Sequence, residues 1–328
     1  MPIPEAGEGH ALIRVEHTGL CGTDFAIMHG AHPRALPPLI MGHEITGLVE
    51  SGAPGAPPVG TRVTVEPLIT CGECATCRRG ATHVCRNLGL FGIDQSGSLA
   101  EFVSLPVASL VPIAAHVPAV EAALAEPLAV AVHAVERSGL AGGERVLVFG
   151  AGPIGILTAL VARHAGAASI LIAEPSAERR EVAASLGFDT VPAGIDPVDA
   201  IRAATDGEGA DIVFDSAAHP SVAALLGKTV RVLGTVVLVG VYKRPVEVDL
   251  QALTFAEITV VGVRVYTRAN VHRAVELLEG DALGLGRLPV EVYPLEQIEF
   301  AFERAMAAGA ALKVLVSPDR IDDAVVRA

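Results

Sequence analysis

Arg145-Val-Leu-Val-Phe-Gly150-Ala-Gly152-Pro153-Ile154-Gly155-Ile-Leu-Thr-Ala-Leu-Val161 is an apolar run that breaks into three spaced glycines and then takes up a helical pattern. It reads as strand, tight turn and helix. Gly150 permits the bend, Gly152 lets the backbone approach a pyrophosphate, and Gly155 lets the helix pack close to its strand. Pro153 and Ile154 open the helix, whose free N–H groups can hold phosphates. A lone G-x-G-x-x-G is weak evidence, but a second apolar strand, Ser169–Ala173, ends at Glu174, 19 residues beyond Gly155. That is where an acid accepting hydrogen bonds from ribose hydroxyls belongs. Such a carboxylate favours NAD, because it would repel the 2′-phosphate of NADP at close range. Arg179 and Arg180 follow one to two helical turns later. Arg179 can offer a phosphate a positive partner, with a solvated helix face as the competing reading. The stretch is a dinucleotide site.

Working outward, 328 residues suffice for about two domains at ~150 residues each. With 51% hydrophobic residues, 34 glycines and no tryptophan, the composition suits a tightly packed α/β protein and excludes disorder. A net charge of −13 would repel nucleic acid and anionic membrane, so a small molecule is the expected partner. No basic, apolar leader and no apolar run of ~18 residues occur, which places the chain in the cytoplasm. Four of the five cysteines crowd between Cys71 and Cys85, which in that compartment suggests a metal rather than disulfides.

The spacing Cys71-x2-Cys74-x2-Cys77-x7-Cys85 suits four thiolates around a closed, structural zinc, an iron–sulfur cluster being the competing metal. Cys21-Gly-Thr23-Asp24 and Gly42-His43-Glu44 lie at strand or loop edges and supply further candidate ligands. Ala11–His17 has strand character, as do Gly97–Leu105 and Leu110–Ile113. Ala119–Ser138 has helical spacing that Pro127 is expected to break. From Arg145 strands and helices alternate through Asp211–Asp215, Val236–Val239 and Ile258–Gly262, which predicts a doubly wound parallel sheet. Asp189–Gly209 reads as a turn-rich connection, and Pro289–Tyr293 with Leu295–Ala308 as a strand and helix outside the repeat.

In this order, Cys21-Gly-Thr-Asp, Gly-His43-Glu44-x-x-Gly, the four-cysteine lobe, Glu126-Pro-Leu and Gly-x-Gly-x-x-Gly resemble the zinc-containing medium-chain alcohol dehydrogenases over nearly the whole chain. Glu126-Pro-Leu is closer to the sorbitol, butanediol and threonine branch. The resemblance implies an α/β protein with a GroES-like β-rich catalytic domain (1–128, resuming at 266–328) and a Rossmann NAD-binding domain (129–265). It implies catalytic zinc on Cys21 and His43, with Glu44 and Glu126 binding the ion or its water. The two glutamates are expected to divide those roles, and which one binds directly is open. Thr23 matches the hydroxyl that carries the substrate proton away.

Departures from the family pattern bear on mechanism. The chain opens at Met-Pro-Ile-Pro, some twenty residues later than members usually do, so either it is truncated or the sheet edge is finished otherwise. The relay histidine is Ala26, which leaves onward proton transfer to water or to His29. Gly262-Val-Arg264-Val265-Tyr266 shifts the arginine that contacts polyols in sorbitol dehydrogenases, and Tyr266-Thr-Arg is closer to butanediol-type members. The resemblance implies hydride transfer from the secondary alcohol of a diol or polyol to NAD, giving a ketone, by a homo-oligomer. A threonine 3-dehydrogenase-like enzyme and a non-catalytic nucleotide-binding relative are the alternatives.

Overall fold

The computed structural model describes residues 2–192, 194–307, 309, 311–319 and 325–327. Its contacts divide the chain into two units, Val130–Tyr266 and a second assembled from Met1–Ala129 and Thr267–Ala328.

In Val130–Tyr266 six strands form one parallel sheet in the order Asp189–Thr190, Ser169–Ala173, Arg145–Phe149, Ala210–Asp215, Val230–Leu238, Thr259–Gly262. The order reverses direction between Arg145–Phe149 and Ala210–Asp215, the switch point at which doubly wound sheets bind ligands. Phe149 is in register with both Ala173 and Asp215, so the residues that follow, Gly150, Glu174 and Ser216, line one edge of the sheet. Leu147, Phe149, Val213 and Val236 are buried on the strands, giving the near-continuous apolar runs of a sheet covered on both faces.

The connection expected over Asp189–Gly209 is more ordered than its composition suggests. It holds the short strand Asp189–Thr190 and the helix Pro197–Ala203, which Asp196 caps by accepting the Val198 N–H at 2.7 Å. Asp and Pro serve here as N-cap and first helical residue, not as turn formers. Pro127 corrects a second expectation. Helix Ala119–Ala122 stops before it, and helix Ala125–Ser138 carries Pro127 in its first turn, where a missing N–H costs no intrahelical bond.

The other unit is built on a mixed sheet in the order Val325–Arg327, Val290–Pro294, Lys313–Ser317, His10–Gly19, Glu44–Gly52, Arg62–Val65, Leu110–Pro112, with Phe102–Pro106 also pairing His10–Gly19. Ala11, Ile13 and Val15 alternate into its core against Ile45, Val63 and Leu105. Gly97–Glu101 lies outside the expected strand, because the Gly97, Ser98 and Leu99 amides donate to the Ile40, Gly42 and Met41 carbonyls, pinning the loop before His43. Strands Leu68–Ile69 and Gly89–Leu90 close the base of the excursion that carries the four cysteines. Helix Ile298–Met306 follows Val290–Pro294, and Ala308, where that helix was expected to end, lies outside the described residues. No helix among the described residues is long and apolar enough to cross a membrane.

Candidate active site and metal centres

Glycine at position 19 ends the first long strand in register with Glu44 on one side and Leu315 on the other, and Cys21 follows two residues on. The chain then turns into helix Gly22–Met28, where Asp24 performs two tasks. Its Oδ2 accepts the Cys21 N–H at 2.9 Å, and its Oδ1 lies 3.6 Å from His43 Nδ1. One fully buried carboxylate thus fixes both the backbone of Cys21 and the ring of His43. With Nδ1 directed at Asp24, Nε2 is the ring nitrogen available as a ligand.

Cys21, His43 and Glu44 each place one donor atom within 4.8 Å of the others. Asp24 Oδ1 and His43 Nδ1 are buried and face one another without a closer hydrogen-bond partner. A soft thiol and an imidazole converging beside a carboxylate are a set of donors that suits a zinc ion. Burial disfavours the charged His43 ring, but its interactions with Asp24 and Cys21 outweigh this and hold its pKa well above the ordinary histidine value. The Thr23 hydroxyl lies 3.9 Å from Cys21 Sγ. Glu126, second residue of its helix, is buried but does not join the group of donors within 4.8 Å.

The sequence reading left Asp24 without a role and missed Lys313 altogether. Lys313 Nζ donates to Glu44 Oε1 at 2.6 Å and stands 2.5 Å from Oε2, both side chains being buried. Burial favours the neutral amine, yet the charges of Glu44, Cys21 and Glu126 raise its pKa above the lysine norm. A lysine before the apolar run Val314-Leu-Val carried no signal of this. His29 donates through Nδ1–H to the Phe25 carbonyl, 2.7 Å away, and is exposed, while Ala26 brings no titratable group.

In the cysteine lobe the four sulfurs lie within 4.8 Å of one another, and the described residues show no disulfide. The Cys71 and Asn87 amides donate to Cys85 Sγ at 3.4 and 3.3 Å, favouring its thiolate. A hydrogen bond with Thr76 brings Cys74 down to about 5, whereas burial and the neighbouring sulfurs push Cys77 up to about 12. Four thiolates repel one another unless a cation neutralises them, which fits the tetrahedral zinc expected from their spacing.

The nucleotide turn in Val130–Tyr266 opens on a cavity of about 880 Å³ lined by Gly150, Gly152, Glu174, Arg179, Ser216 and Leu225. Gly150 has φ +94°, and a Cβ on Gly155 would overlap the Gly150 carbonyl oxygen. Pro153 and Ile154 begin helix Pro153–His164 with Gly152 as its cap residue. The Ala151 N–H donates to Glu174 Oε2 at 2.8 Å and the Ser176 N–H to Oε1 at 2.9 Å, fixing the carboxylate at the strand end. Arg180 donates to the Glu174 and Pro175 carbonyls at 2.7 Å, so of the two arginines Arg179, whose guanidinium stands beside Gly152, is the one directed at the turn.

The family model described as "Alcohol dehydrogenase GroES-like domain" matches residues 7–115, and that described as "Zinc-binding dehydrogenase" matches 153–280. The chain is 37% identical over 322 residues to a 2-dehydro-3-deoxy-L-galactonate 5-dehydrogenase of Pseudoalteromonas atlantica, covering 95% of this chain and 92% of that one. It is 36% identical over 323 residues to an L-threonine 3-dehydrogenase of Pyrococcus abyssi, with the same coverage. A zinc-binding dehydrogenase from Sinorhizobium meliloti 1021, solved bound to NADP, superposes with a TM-score of 0.91 at 32% identity, covering 97% of this chain and 94% of that one.

Proposed function

The chain belongs to the zinc-binding alcohol dehydrogenase family, a zinc-dependent oxidoreductase using NAD(P), and from that premise we propose that it oxidises a secondary hydroxyl of a diol or polyol to a ketone with NAD as acceptor. The observation that carries the reading is the convergence of Cys21 with the buried His43 and Glu44, their donor atoms within 4.8 Å of one another, in a chain that also has a complete dinucleotide turn. The two relatives are named for oxidation at positions 5 and 3, inside a carbon chain, which favours a secondary over a primary alcohol. Zinc in this cluster would supply Lewis acidity to the alcohol oxygen, and NAD would accept the hydride.

The residues of the chain supply position and proton traffic. Cys21 and His43 would hold the cation, with a carboxylate of Glu44 or Glu126 completing the set. Thr23 accepts the substrate proton. Water takes it onward, since Ala26 cannot and the Nδ1 of His29 is engaged with the Phe25 carbonyl. NAD is preferred, because the fixed carboxylate of Glu174 accepts from ribose hydroxyls and repels a 2′-phosphate. We place the enzyme in the cytoplasm as a dimer or tetramer. Among the described residues Thr259–Gly262 is paired on one side alone, and Val241 and Phe255 near that edge are 81% and 79% exposed.

The test is NAD reduction by purified protein across diols, polyols and L-threonine. Turnover of threonine above every diol and polyol would favour the second reading, which the Pyrococcus relative supports. No turnover with any alcohol would favour a nucleotide-binding protein without catalysis.

A further inference from the structure

Lys313 and Glu44 form an ion pair beside the candidate metal centre. It joins residues 269 apart in sequence and is sealed from solvent, with side chains 5% and 2% exposed. Space for it is made by Gly19, between the two strands that carry the partners. A Cβ there would overlap Glu44 Oε2 and crowd Lys313 Cε at 2.9 Å. Stability alone is a poor reason to bury such a pair, because well-packed apolar residues of similar volume usually serve as well or better. What distinguishes this pair is its neighbour. Glu44 offers an oxygen within 4.8 Å of the Cys21 and His43 donors, so a bound cation and the Lys313 ammonium draw on the same carboxylate.

We propose that Lys313 is a positioning residue of the Cys21–His43 metal centre, holding Glu44 as its ion-pair partner and so keeping that carboxylate out of the ligand set. The proposal rests on the reading of Cys21 and His43 as ligands of a resident ion. It follows that Glu44 acts as an outer counter-charge and that the position it would have filled stays open for a substrate oxygen. Removing the ammonium leaves a buried carboxylate whose strongest available partner is the cation.

Cadmium-113 NMR of the cadmium-loaded protein tests this without relying on turnover, because the number of thiolate donors separates the four-cysteine centre from the one-cysteine centre. In Lys313→Met the one-thiolate resonance should move in the direction an added oxygen donor gives, while the four-thiolate resonance stays in place. Competition with a chelator should show tighter zinc at the same site, by about 10- to 100-fold, the range that outer partners command. The double variant K313M/E44Q removes both charges at similar volume and should return the resonance and the affinity to near wild type. It also serves if Lys313→Met does not fold. An unchanged resonance in folded Lys313→Met would overturn the proposal. So would a displaced resonance in the double variant, which would mean that Glu44 is already a ligand in the wild-type centre. Absence of any one-thiolate resonance in wild-type protein would instead overturn the underlying assignment of Cys21 and His43, and the proposal with it.

Discussion

Thr23 sits in the first turn of helix Gly22–Met28 with its hydroxyl 3.9 Å from Cys21 Sγ, so a proton leaving a substrate held at that centre has a short path to it. General acid–base assistance is worth 10²- to 10⁴-fold, and Thr23→Ala should lower the single-turnover oxidation rate by at least roughly 100-fold. His29→Ala should change it little, since that ring is exposed and its Nδ1 is occupied by a backbone carbonyl. Rapid-mixing measurements across pH decide between them: a near-normal rate in Thr23→Ala removes it from the path, and a large loss in His29→Ala puts the relay there. Glu174 invites a second substitution. In Glu174→Ala the ratio of kcat/KM for NAD over NADP should fall by at least about 10-fold, through loss of ribose hydrogen bonds and of repulsion. A ratio that does not fall would place the selectivity elsewhere. At this scale the sequence was most readable where residue types are rare and clustered, as with Cys21, His43 and the four cysteines. It was silent on Lys313, because one lysine at the head of an apolar strand looks like a solvated flank. Its burial is created by pairing with Glu44, 269 positions away.

Among the elements, the nucleotide turn tolerates least. The helix Pro153–His164 approaches its strand so closely that Gly155→Ala must displace the helix start or the Gly150 carbonyl. Overpacking of this kind costs about 1–3 kcal/mol, and the lost phosphate geometry should weaken NAD binding further. Thermal unfolding and NAD titration would show both, whereas unchanged NAD affinity would mean the turn adapts. At the opposite edge of the same sheet Asp211 accepts the Arg145 amide at 2.7 Å and lies 2.5 Å from Arg231 Nε, tying three adjacent strands together. Burial raises its pKa, but the Arg145 amide and the Arg231 guanidinium outweigh this and lower it from 3.8. A depressed folded-state pKa stabilises the fold above the unfolded value and is lost as pH falls through the folded one. Asp211→Asn should therefore cost about 1–3 kcal/mol at pH 7 by denaturant unfolding, with the difference from wild type shrinking below about pH 4. A difference that persists undiminished at pH 3 would show that charge is not its source. The strands with long apolar runs were legible from pattern alone. Helix Pro197–Ala203 was not, because Asp196-Pro197 is equally a turn and a helix start, and burial of Ile201 decides between them.

For the whole molecule, the two donor clusters predict two zinc ions per chain. Elemental analysis of freshly purified, unchelated protein should return that ratio, and one ion or none would contradict it. The clusters should also separate in their effects. Cys74→Ser should lower thermal stability and leave the chemistry of the Cys21 centre nearly intact, since the four-thiolate lobe offers no open position. If Cys74→Ser instead abolished turnover at full stability, the two roles would have to be exchanged.

The pairing of Lys313 with Glu44 also constrains the order in which the protein can be made. Val130–Tyr266 is contiguous, and a nascent chain can complete it while Lys313 is still unsynthesised. Glu44 emerges 269 residues ahead of its partner, which at 5–20 residues per second means roughly 13 to 54 s in which the carboxylate has no buried counter-charge. The unit that holds Glu44 cannot close its sheet in that interval either, because the Lys313–Ser317 strand pairs directly with His10–Gly19. Folding of this unit therefore waits on the last part of the chain to be made, whereas Val130–Tyr266 does not.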